Sequence, residues 1–142
     1  MVFLLDTNVV SELRKFGDRK ADANVIAWIS AQSESSFYLS AITLMKIELG
    51  VLRLERRDPL QGKILREWVQ QDLLTQFSDR FLPVTAEIAI RCAALHVPHS
   101  RPLNDSLIAA TGLVHDMIIV TRDITDFEPT GVKLLNPWNA IP

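Results

Sequence analysis

Val2-Phe3-Leu4-Leu5-Asp6-Thr7-Asn8 is the stretch whose reading decides the fold. Four apolar residues stop at a carboxylate, and two residues of capping type follow it. Val9, Leu13 and Phe16 then recur at helical spacing until Gly17. The reading is strand, turn, helix. A second apolar run, Met117-Ile118-Ile119-Val120, ends in the same way, at Thr121-Arg122-Asp123. Between them, Val25, Ile26, Trp28 and Ile29 predict a helix. The strand formers of Phe37-Tyr38-Leu39-Ser40-Ala41-Ile42 predict a strand, with Thr43 as cap of a helix reaching about Arg57. Pro59 opens another helix ending near Phe77. Phe81-Leu82-Pro83-Val84 suits an edge strand, where proline is tolerated. Ala86 to Leu95 reads as helix, Pro98 and Pro102 bracket a loop, and Asn104 opens a helix to about Val114. Val132 to Leu135 is a last short strand. Strands separated by helices predict an α/β three-layer sandwich, a mostly parallel central sheet with helices on both faces. Ligands of such sheets bind outside the carboxyl ends of the strands, where Asp6 and Asp123 both fall.

The length of 142 residues suits one domain over 1–142, which buries roughly 70% of its unfolded surface. A net charge of −2 excludes a protein that grips nucleic acid by total charge, though not one with a local basic groove. The single cysteine, Cys92, permits no internal disulfide and fits a small buried residue in a reducing compartment. Asp6 cuts the first apolar run too soon for a signal-peptide core, and no apolar segment approaches the ~20 residues of a membrane span. The expectation is a soluble, cytoplasmic protein.

Two more carboxylates stand where hydrocarbon is expected. Met45, Glu48, Leu49 and Leu52 follow the i, i+3, i+4, i+7 spacing of a core-facing stripe, with Glu48 in a leucine slot. Asp105, Ile108, Ala109 and Gly112 repeat that spacing, and no cation follows Asp105 through Gly112. Small Ala109, Ala110 and Gly112 let this helix approach the sheet closely. Each acid also has a plain structural reading: Asp6 and Asp105 as helix caps, Glu48 paired with Lys46 or Arg53, Asp123 as a turn residue. Taken together, crowded and poorly solvated carboxylates require neutralisation. A divalent cation held by oxygen supplies it, which points to a metal-dependent site for handling phosphate.

Other groups carry less. His96, His99 and His115 lack zinc spacing. Arg53, Arg56, Arg57, Lys63 and Arg66 form one basic stretch, and Arg14, Lys15, Arg19 and Lys20 another; either is a solvated face or a phosphate contact. Trp28 and Trp68 lie on apolar stripes, and Trp138 in a proline-flanked tail is placed to pack back on the domain. Gly62-Lys63-Ile64 lacks the rest of a phosphate loop.

Four blocks together resemble the PIN-domain family, most closely the VapC-type toxins. They are Leu4-Leu5-Asp6-Thr7-Asn8-Val9-Val10-Ser11-Glu12-Leu13, Glu48-Leu49-Gly50, Asp105-Ser106-Leu107-Ile108-Ala109-Ala110-Thr111, and Val120-Thr121-Arg122-Asp123 with Asp126-Phe127. The resemblance implies a PIN-like fold and a Mg²⁺- or Mn²⁺-dependent endoribonuclease acting as the toxin of a toxin–antitoxin pair. It implies Asp6, Glu48, Asp105 and Asp123 as catalytic, Asp6 and Asp105 as direct metal ligands, and Thr7, Asn8 and Thr121 in support. The implied partners are RNA, a cognate antitoxin, a second copy in a homodimer, and operator DNA through the antitoxin. Two rivals stand beside it: a non-catalytic PIN-fold regulatory module acting with an antitoxin on operator DNA, and a phosphatase using Asp6 as nucleophile. The phosphatase wants a second acid two positions on, where Asn8 stands.

Overall fold

The computed structural model describes residues 1–139. Its five strands are β1 (Phe3–Leu5), β2 (Phe37–Ser40), β3 (Phe81–Leu82), β4 (Ile118–Val120) and β5 (Lys133–Leu135). They form one sheet in the order β3-β2-β1-β4-β5, with every pair parallel. The chain steps outward from β1 to β3, then returns to lay β4 on the other side of β1. The strand order therefore reverses between β1 and β4, where open α/β sheets form their binding crevice. Leu5 pairs with Val120, so the two strands end level, and Asp6 N–H extends the ladder by donating to the Val120 carbonyl at 2.9 Å.

Helices α1 (Thr7–Arg14), α2 (Ala23–Ser30), α3 (Ala41–Arg57), α4 (Pro59–Trp68), α5 (Leu74–Gln76), α6 (Ala86–Leu95), α7 (Leu103–His115) and α8 (Ile124–Phe127) fill the connections. A π turn over Val69–Leu73 joins α4 to α5, so the helix begun at Pro59 reaches nearly to Phe77, as the sequence predicts. Alternation along β1 separates the two faces of the sheet. Phe3 and Leu5 pack with Val9, Trp28, Phe37 and Leu39 on one side. Leu4 packs with Ile108, Ala109, Ile119 and Val132 on the other. Buried Trp28 meets Phe3 edge-on, with ring centroids 4.9 Å apart.

The small residues of α7 act as their sequence implies. A Cβ on Gly112 would come within 2.9 Å of Val132 Cγ2 and 3.2 Å of Ile119 Cγ1, so only glycine lets the helix sit this close to β4 and β5. Cys92 is buried, and burial pushes its thiol up. Trp138 does pack back: the Arg122 guanidinium lies over its ring at 5.1 Å, and Asn24 donates to its carbonyl at 2.8 Å. The cap of α3 differs from expectation. Ser40, not Thr43, accepts from the Ile42 N–H, at 3.0 Å, because β2 ends two residues before the run of strand formers does. Thr43 is buried instead. No helix among the described residues is long and apolar enough to cross a membrane.

Candidate active site

The reversal point between β1 and β4 is where the acids gather. Asp6 caps α1, and its side chain is buried although it lies one residue past a strand. One carboxylate oxygen accepts from the Thr7 N–H at 2.8 Å, the other from the Thr121 hydroxyl at 2.8 Å. Each oxygen keeps a further lone pair for a ligand. Thr121 Oγ1 accepts in turn from the Asp123 N–H at 3.0 Å. Asn8 closes the arrangement by donating to Asp123 Oδ2 at 3.1 Å and accepting from the Arg122 N–H at 3.4 Å. Thr7, Asn8 and Thr121 thus hold Asp6 and Asp123 in place, with partners from two ends of the chain. The Thr7 hydroxyl itself is buried with no hydrogen-bond partner among the described residues.

Asp105 enters from the first turn of α7 and is half-buried. Burial holds its carboxyl above the ordinary aspartate range. Lys46 opposes that shift, while the negative charges of Asp6, Asp126 and Asp123 add to it. Asp6, Asp123 and Asp126 therefore all act electrostatically on Asp105, though the four come from the cap of α1, the β4–α8 turn, α8 and α7.

Glu48 does not stand with them. Arg66 of α4 holds it at 2.6 and 2.9 Å, and reaches Glu55 at 3.0 Å. This pair corrects the sequence reading twice. The partner is Arg66 rather than Lys46 or Arg53, and the stripe of Met45, Leu49 and Leu52 is 47%, 42% and 52% exposed rather than core-facing. Spacing alone reveals that an apolar stripe exists, not which way the helix is turned. The core-facing residues of α3 are Thr43 and Val51, with Ile47 packed beside the core. Residues two apart on an α-helix lie about 200° around its axis. With Glu48 turned to α4, Lys46 turns toward Asp105. Sequence reasoning gave Lys46 no part beyond pairing with Glu48; this half-turn relation was the signal that would have found it.

Beside the acids runs a groove of about 530 Å³. Arg14, Lys15, Lys20 and Lys46 line it with Thr7 and Ser11, and no carboxylate lines it among the described residues. The chain's modest net negative charge thus hides a basic surface next to an acidic one.

Among the described residues, no three His, Cys, Asp or Glu side chains stand close enough to hold an ion directly. Mg²⁺ requires no such cage, since it keeps several waters and takes one or two carboxylates. Asp6, with free lone pairs, and Asp105, desolvated and repelled by its neighbours, suit that mode of binding.

A family model described as PIN domain matches residues 3–131. The chain belongs to the PIN-domain family. Its relatives within the family include the plasmid stability protein StbB of Pseudomonas syringae pv. tomato, 34% identical with 98% of this chain and 100% of that protein covered. The toxin FitB of Neisseria gonorrhoeae is 35% identical, with coverage of 97% and 99%. VapC ribonuclease Y4jK of Sinorhizobium fredii is 32% identical, with coverage of 96% and 98%. Among solved structures, FitAB bound to an IR36 DNA fragment superimposes with a TM-score of 0.87 at 32% identity, covering 99% of both chains. The parallel five-stranded PIN sheet with helices on both faces is the architecture the sequence predicts.

Proposed function

We propose that the chain is a Mg²⁺- or Mn²⁺-dependent endoribonuclease and the toxin of a toxin–antitoxin pair. The observation that carries this reading is the gathering of acids at the reversal point of the sheet, where Asp6 and Asp123 share Thr121 and both act on Asp105. Relatives covering nearly the whole chain are named as a VapC ribonuclease and a toxin, which supports it. In this reading Asp6 and Asp105 bind the ion directly. Asp123 and Asp126 hold its waters, and Thr7, Asn8 and Thr121 orient the acids. A divalent cation bound there would offset the charge of a phosphodiester and make water a better nucleophile near neutral pH. Glu48 serves the α3–α4 contact instead of the chemistry.

The partners follow the same reading: RNA as substrate, a cognate antitoxin that blocks the crevice, and operator DNA reached through that antitoxin. Exposed Met45, Leu49 and Leu52 on α3, with Leu60 and Ile64 on α4, give an apolar surface suited to a homodimer. The rival reading is a non-catalytic module acting with an antitoxin on operator DNA, and the observation that favours it is that the similar FitAB was solved bound to a DNA fragment. A single experiment decides between them. Purified protein incubated with mixed cellular RNA and Mn²⁺ is expected to release fragments with a defined sequence at their ends, and EDTA to stop the release. Intact RNA in Mn²⁺ favours the module and refutes the nuclease.

A further inference from the structure

Lys46 is a cation whose charge reaches Asp105 of the acid group. It is half-buried on α3, yet it makes no ion pair with any described residue. The carboxylate nearest to it in sequence, Glu48, is taken by Arg66. On one side the charge of Lys46 acts on Asp105. On the other it lines the basic groove with Arg14, Lys15 and Lys20, of which Lys15 also pairs with Glu12 at 2.8 Å. Thr7 joins the same two regions, since it lines the groove while its N–H binds Asp6. Lys46 therefore stands at the boundary between acids and groove, where a phosphate lying along the groove meets the acid-bound side.

We propose that Lys46 is a catalytic residue that donates to a non-bridging oxygen of the scissile phosphate, at the head of a groove whose other cations carry the neighbouring phosphates of the strand. This rests on the nuclease reading of the acids. In the reaction, water forms a new P–O bond and the bond to the leaving ribose oxygen breaks. The water releases one proton to solvent, and the leaving oxygen takes one up. Lys46 transfers no proton. It stays an ammonium and offsets the negative charge that grows on the phosphate oxygens, a role in which a preorganised donor is worth about 100- to 1,000-fold in kcat.

The test compares Lys46→Gln and Lys46→Arg with the unaltered protein in three measurements. In RNA cleavage with Mn²⁺, Lys46→Gln is expected to lose about 100-fold or more in kcat, and Lys46→Arg to recover most of it. In Mn²⁺ binding without RNA, Lys46→Gln should bind as tightly as the unaltered protein or more tightly, because a charge opposing the ion is gone. In EDTA, binding of a fluorescein-labelled single-stranded RNA should weaken, and its log–log salt slope should fall by about 0.7, one phosphate contact. Unchanged kcat in Lys46→Gln overturns the proposal, and so does weakened Mn²⁺ binding, which would make Lys46 a support of the metal site. Should the unaltered protein cleave no RNA, the nuclease reading fails by itself. The salt slope then decides on Lys46: a reduced slope keeps the phosphate contact, and an unchanged slope removes it.

Discussion

The β1–β4 corner and the α3–α4 pair both carry acids in helical or strand-end positions, and they use them in opposite ways. At the corner, Asp6 is held by two donors that leave its outer lone pairs free, and Asp105 is pushed toward protonation by burial and then by its acidic neighbours. On α3–α4, Glu48 and Glu55 are both occupied by Arg66, which raises the guanidinium's hold on its proton and lowers the carboxyl of Glu55. An acid satisfied by an arginine contributes to a helix contact. An acid left with unspent charge is available to a ligand.

The strongest way to break this contrast is to loosen the corner while sparing its acids. Thr121→Val removes the hydroxyl that donates to Asp6 and accepts from Asp123 N–H. Cleavage should fall about 10- to 100-fold, the usual cost of losing a group that orients a metal ligand, with stability falling by about 1–3 kcal/mol because the buried Asp6 carboxylate loses a donor. Steady-state rates on a fixed RNA check it, and a rate within twofold of the parent would mean that Asp6 needs no orientation.

Next in size is a stability effect on the far side of the sheet. Gly112→Ala forces a methyl against Val132 and Ile119 and should cost about 1–3 kcal/mol in denaturant unfolding. A neutral result would show that α7 can retreat from β4, and with it Asp105.

A smaller effect has the opposite sign. Because the folded carboxyl of Asp105 is raised, the folded state holds this proton more tightly than the unfolded chain does. The associated stability is complete below the ordinary aspartate value of 3.8 and is lost as pH rises through the folded value. Asp105→Asn should therefore raise the melting temperature of the metal-free protein at neutral pH and flatten its pH dependence above 3.8, while abolishing cleavage. Melting scans in EDTA across that range test it. A lower melting temperature at pH 7 would show that Asp105 is a structural acid like Glu48.

The same contrast explains what could be read from the sequence. Asp6 and Asp123 were legible because a strand fixes its own end: once Leu5 and Val120 are strand residues, their successors lie at the sheet's carboxyl edge whatever the packing. Asp105 was legible for a related reason, as no nearby cation in its own helix could satisfy it. Glu48 was misread because helical spacing is the same for a buried stripe and an exposed one. Met45, Leu49 and Leu52 give the pattern of a core face while pointing outward. The role of Arg66 was out of reach, since it depends on how α4 folds back along α3. That fold-back needs Gly62, where a Cβ would come within 2.5 Å of the Glu55 backbone. Thr43 was misplaced as a cap because β-branched residues extend a strand pattern past the point where Ser40 ends it.

Mn²⁺ titration of four proteins, read by calorimetry or electron paramagnetic resonance, tests the division most directly: the parent chain, Asp6→Asn, Asp105→Asn and Glu48→Gln. Binding should vanish in the two aspartate variants and persist unchanged in Glu48→Gln. Retained binding in Asp6→Asn, or its loss in Glu48→Gln, would contradict the account.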